Sequence, residues 1–162
     1  MTINAADFRQ FVIAPALAAL APAGIPVTKT AADLLMATAA MESDLGTWLH
    51  QEAGGPALGV FEEDPDQLAD LEQILTPAQK TALATVATPQ ALADQLGANL
   101  IAAAAVCRLH YWHATTEPLP GDTVTGLWGY YKQFYNSQLG AATMPEFIDA
   151  LKLTDLGALP LG

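Results

Sequence analysis

Residues 39–50 read AAMESDLGTWLH and place an ionisable side chain, Glu42, where a helical pattern asks for an apolar one. Leu35, Ala39, Glu42, Leu45 and Leu49 recur at steps of three and four, the spacing of one helix face, while Ser43, Asp44 and Thr47 fall to other sides. A carboxyl on an apolar stripe is partly desolvated. Desolvation favours its neutral form and raises its pKa toward the range a general acid needs near neutral pH. The same position suits a carboxylate that bends to water at the edge of a core, so periodicity alone leaves both readings open.

Two further stretches bear on that choice. The connection HQEAGGPALGVFEEDPD (50–66) is long for a compact domain yet carries apolar residues, as a packed and functional loop does. Gly54, Gly55, Pro56 and Gly59 let its backbone turn sharply ahead of Val60 and Phe61, so it is able to wall a cleft at the helix end. Later, LWGYYKQFYN (127–136) gathers Trp128, Tyr130, Tyr131, Phe134 and Tyr135 in one helical segment, followed by Asn136. Aromatic faces with hydroxyl tips suit sugar rings, although such a cluster more often belongs to a core.

The elements that would position these groups are helical. Thr76-Pro77-Ala78-Gln79 and Thr143-Met144-Pro145-Glu146 carry capping-box spacing, and Thr88-Pro89 sets a capping Thr before a Pro at the first helical position. Helical period covers 3–20, 29–50, 66–75, 77–86, 89–114, 123–138 and 144–152, and no stretch alternates as a strand does. The fold class expected is mainly α, one domain over 1–162, with 1–29 an N-terminal helix and a Pro-rich connection. Within 89–114, Leu92, Leu96, Leu100, Ala103, Cys107 and His110 or Tyr111 mark one stripe and alanine fills most other faces. That is the expected central helix, enclosed by neighbours on several sides.

Composition narrows the function classes. Six Lys plus Arg against seventeen Asp plus Glu give a net charge of −11, which leaves no basic surface for nucleic acid or anionic lipid. The apolar run LIAAAAVC (100–107) is far short of the ~20 residues that span a bilayer. FVIAPALAALAPAGIPV (11–27) is broken by three prolines and preceded by Asp7, unlike a secretion signal. A soluble chain without membrane insertion is expected. Cys107, the single cysteine, reads as a buried thiol, and His110 and His113 lack a clear third ligand, so neither metal nor cofactor is expected. The acidic run EEDPD (62–66) lacks the spacing and glycine of an EF-hand loop.

Taken in order, these pieces resemble the lysozyme-like proteins, the lytic transglycosylases and goose-type lysozymes. That family has a helix ending in Glu-Ser, a G-[LV]-[FM]-Q segment, an alanine-rich helix and an aromatic Y-N pair near a glycine. The matching residues here are Glu42-Ser43, Gly59-Val60-Phe61-Glu62, NLIAAAAVCRLHY (99–111) and Tyr135-Asn136 ahead of Gly140. The likeness is closer still to phage proteins with a QES-x-LG, then GGPALG-x-[FY]-Q-x-EP pattern, here MESDLG and GGPALGVFEEDP, and it spans roughly 30–150.

The resemblance implies cleavage of the β-1,4 bond between N-acetylmuramic acid and N-acetylglucosamine in peptidoglycan. Glu42 would be the general acid. In the transglycosylase route the same carboxylate then takes the muramoyl 6-hydroxyl proton, giving a 1,6-anhydro product; a hydrolase would add a second carboxylate, for which Glu62, Glu63 and Asp64 are nearest in sequence. Ser43 and Glu62 would support the acid, and Gly59, Phe61, Tyr131, Tyr135 and Asn136 would line the substrate. The expected partners are glycan strands and other virion proteins, with a phage virion as location. Two features depart from the pattern. Glu62 replaces the family's Gln, turning a donor-acceptor amide into an acceptor when ionised. The charge of −11 repels anionic peptidoglycan, though a virion-tethered copy needs no steering. An inactive structural component of the virion, keeping the fold without the chemistry, is the competing expectation.

Overall fold

The computed structural model describes residues 3–51, 54–137 and 140–162. Asn4 caps α1 (Ala5–Phe8), which runs through a π-helical stretch (Arg9–Ile13) into α2 (Ala14–Leu20). The widened turn lies just before Pro15, whose missing N–H and bulky ring break the regular ladder. A short 3-10 turn and Gly24, at φ +81°, end the segment.

Two 15-residue helices organise the core. Thr28 caps α3 (Lys29–Ser43), and Asn99 caps α7 (Leu100–Ala114) by accepting from the Ala102 N–H. Around them pack α4 (Pro65–Ile74), α5 (Pro77–Leu83), α6 (Leu92–Gln95), α8 (Val124–Phe134) and α9 (Met144–Leu151). The chain is a mainly helical, single compact domain. Ala102 to Cys107 and Leu109 of α7 are all buried, and the helix touches α2, α3, α4 and α5. Its alanines let those neighbours approach closely. Thr38 of α3 and Tyr111 of α7 join hydroxyls across the core at 2.8 Å. Buried Asp33 of α3 pairs with Arg9 at 2.8 Å, and Arg9 reaches Asp155 at 2.7 Å, tying both chain ends to α3. Among the described residues no helix is long and apolar enough to cross a membrane.

Three boundaries differ from the helical period. The 29–50 segment stops being helical at Ser43, because Asp44, Leu45 and Gly46 turn left-handed at φ +47°, +51° and +78°. The Leu45 N–H closes onto the Ala39 carbonyl at 3.1 Å, which satisfies a helix-end acceptor. Leu45 stays buried off the helix, whereas Leu49 is exposed. The 89–114 segment is two helices, α6 and α7, separated at Gly97 to Asn99. Pro89 starts no helix: the buried Gln95 amide takes the Thr88 N–H at 2.8 Å and donates to the Gln90 carbonyl at 2.9 Å, folding that stretch as a loop. The 123–138 segment ends at Phe134, and Gln138 lies outside the described residues. The capping boxes expected at Thr76 and Thr143 both form.

Candidate active site

Glu42 is the penultimate residue of α3, and three local features fix its surroundings. Beside it, the buried Ser43 hydroxyl donates to the Val60 carbonyl at 2.7 Å, accepts from the Gly46 N–H at 3.0 Å and lies 3.0 Å from the Ala39 carbonyl. One hydroxyl thus joins the helix end, the left-handed turn and the Gly-rich loop. In that loop Leu58 and Glu63 exchange backbone hydrogen bonds of 2.9 Å each way around a turn over 59–62. Gly59 sits at φ +72°, and a Cβ there would lie 2.5 Å from the Leu96 carbonyl oxygen. Only glycine fits that approach. Glu52 and Ala53 of the same loop lie outside the described residues.

The opposite wall comes from α8. The Tyr131 hydroxyl donates to Glu42 Oε1 at 2.7 Å. Burial raises the Glu42 carboxyl to about 7; the Tyr131 hydrogen bond pulls it down, and the charges of Glu62 and Glu63 push it up. Burial and the neighbouring Glu42 charge also push the Tyr131 hydroxyl up, so it remains a donor. One turn on, Tyr135 directs its hydroxyl at the Phe61 carbonyl (2.8 Å) and Glu63 Oε2 (3.0 Å). Lys132 donates to Asn136 Oδ1 at 2.8 Å and to the Gly140 carbonyl at 2.6 Å, pinning Asn136 beside the site.

Glu42, Glu62, Glu63, Asp64, Tyr135 and Asn136 share the lining of one cavity of about 190 Å³. A second cavity, of about 410 Å³, shares Gln67 and Tyr135 with it and continues past His110 and Phe134. Of the residues singled out from the sequence, the cavity gathers Glu42, Glu62, Glu63, Asp64, Tyr135 and Asn136. Ser43, Gly59 and Tyr131 act from behind it. The Phe61 ring does not reach it. It is buried against Phe8, with centroids 6.3 Å apart, and contributes only its carbonyl. Trp128 and Tyr131 pack on Phe147 of α9 at 5.4 and 5.6 Å, so much of the aromatic segment is core.

Glu63, named with Glu62 and Asp64 as a candidate second carboxylate, takes a positioning role instead. It is 2% exposed, and His110 Nδ1 of α7 stands 2.9 Å from its Oε1 while Tyr135 holds Oε2. Both oxygens are committed, so Glu63 positions the loop against α7 and α8. The sequence signal was His110 falling on the α7 stripe, where an imidazole must find a partner. Asp64 caps α4, accepting from the Asp66 and Gln67 N–H groups at 2.8 and 3.2 Å, which explains the acidic turn. Among the described residues no group of three or more His, Cys, Asp or Glu could hold a metal ion. Cys107 is buried, and burial pushes its thiol up. Chemically, the arrangement supplies one carboxyl that exchanges a proton near neutral pH at the wall of a small acidic cleft. Compared with family models, with curated proteins and with solved structures, the chain matches none.

Proposed function

We propose that the chain is a phage-type peptidoglycan-cleaving enzyme, a lytic transglycosylase or muramidase, in which Glu42 is the general acid and base. The observation that carries this reading is the Glu42 carboxyl itself, raised by burial to about 7 and oriented by the Tyr131 hydroxyl at 2.7 Å. With Tyr131 on Oε1, Oε2 carries the proton that passes to the glycosidic oxygen as the bond breaks. The resulting carboxylate then takes a proton from the muramoyl 6-hydroxyl, or from water in a hydrolase. Glu62, on the lining of the same cavity as Glu42, is the second carboxylate of a hydrolytic route, while Glu63 is bound to His110 and Tyr135. A site in a virion protein acting at the bacterial wall fits the resemblance to phage proteins.

A second reading is favoured by one observation. Four carboxylates line a cavity of about 190 Å³, smaller than the usual ligand pocket of roughly 300–1,000 Å³ and unfavourable to an anionic polymer. In that reading the chain is a structural virion component without chemistry. A suspension of purified peptidoglycan separates the two: clearing by wild type and not by Glu42→Gln supports the enzyme, and no clearing by wild type between pH 4 and 8 supports the structural component.

A further inference from the structure

A second polar feature stands apart from the cleft. Arg108 of α7 is 3% exposed, yet no side chain or carbonyl of the described residues accepts a hydrogen bond from its guanidinium, and its buried Nε has no partner. In a chain with seventeen carboxylates this is an unexpected arrangement, because a buried cation ordinarily has a paired anion. Arg108 lies over Trp112, whose ring centre is 5.5 Å from the guanidinium carbon. A guanidinium held over an aromatic face by cation–π attraction spends no N–H donor on it, which leaves donors for a planar acceptor. Arg108 and Trp112 line a cavity of about 580 Å³ together with Thr28, Thr116, Pro118 and Tyr130. Thr28 is the N-cap of the 15-residue α3, so the positive end of that helix adds to the potential on the same wall.

We propose that this cavity binds a monocarboxylate with an apolar body, the carboxylate on Arg108 and the body against Trp112 and Pro118. One guanidinium balances one negative charge. Glu117 on the same lining and the net charge of −11 weigh against a dianion such as phosphate. The apolar components of the wall favour a ligand with a hydrocarbon or aromatic body over a small hydrophilic acid. Two sources share this chemistry: a free organic acid and the C-terminus of a peptide with an apolar last residue.

Titration of the full chain by ¹H–¹⁵N NMR tests the assignment, reading the Arg108 Nε–H and the Trp112 indole N–H. The probes are benzoate, benzamide, inorganic phosphate, acetyl-Ala-Phe and its C-terminal amide. At least one carboxylate should move both signals and bind about tenfold or more tightly than its neutral amide, the margin of a charge-assisted hydrogen bond. Benzoate alone identifies a free acid; tighter binding of the peptide acid identifies a chain terminus. Arg108→Met should abolish the acid-over-amide preference. Thr116→Trp, which fills the cavity from its exposed rim, should block binding with Arg108 intact, and it keeps the test valid if Arg108→Met does not fold. Equal binding of acid and amide, phosphate binding tighter than benzoate, or no response at Arg108 to any carboxylate overturns the proposal.

Discussion

The Tyr131 hydroxyl and the Glu42 carboxyl, 89 residues apart in sequence, meet at 2.7 Å. Burial drives the carboxyl toward its neutral form and this hydrogen bond favours the charged one, with about 7 as the result. A carboxyl so balanced gives and takes a proton at neutral pH. Removing the hydroxyl with Tyr131→Phe should raise the Glu42 pKa further. Carbon-13 NMR titration of the glutamate carboxyls reads that rise, and the upper pH limit of any glycan cleavage should move up with it.

Glu62→Gln replaces the carboxylate with an amide and removes a negative charge that raises the Glu42 pKa. The Glu42 titration should therefore move down, and the upper limit of the pH–activity profile should move down too. The same carbon-13 titration checks it. An upward move would mean that Glu62 acts on Glu42 other than through its charge.

The Glu42 pKa also sets a pH dependence of stability. Below its ordinary value of 4.5 the carboxyl is neutral in both folded and unfolded chains, and it adds no penalty. Between 4.5 and about 7 the unfolded chain ionises while the folded one resists. Stability then falls by on the order of 3 kcal/mol and levels off above 7. Glu42→Gln removes this loss, so urea melts should find the variant more stable than wild type at pH 8 and about equal to it at pH 4.

Ser43 and Gly59 hold the loop against α3. Ser43→Ala leaves the Val60 carbonyl and the Gly46 N–H without that hydroxyl and should destabilise the fold by about 1–3 kcal/mol. Gly59→Ala places a Cβ 2.5 Å from the Leu96 carbonyl oxygen at a left-handed φ, and should cost about 2 kcal/mol or more. Thermal melts should show both losses, at roughly 2–4 °C per kcal/mol for a chain of this size.

Much of the architecture was legible because helix signals are local. The capping boxes at Thr76 and Thr143, the apolar stripes of α3 and α7 and the glycines of the loop each act within a few residues. The failures came from side chains acting at longer range. Gln95 captures the Thr88 backbone and cancels a helix start that Pro89 seemed to announce. The left-handed turn at Asp44 and Leu45 ends α3 while Leu45 remains buried, so the apolar stripe outlasts the helix. At the site, Glu42 stood out because it interrupts a pattern. Glu63 was named for its nearness in sequence, but its role was hidden because its partners His110 and Tyr135 lie 47 and 72 residues away and only folding brings them together. The resemblance put Phe61 on the substrate, but its ring is buried in the core beside the turn over 59–62.

The central claim, that Glu42 cleaves glycan as an acid, is tested most directly by mass analysis of muropeptides released from purified peptidoglycan. Wild type at pH 5–7 should release fragments ending in 1,6-anhydromuramic acid, or in reducing muramic acid if Glu62 directs water. Glu42→Gln should release at least about a hundredfold less. Equal release by both proteins, or none by wild type at any pH where it is folded, would contradict the account.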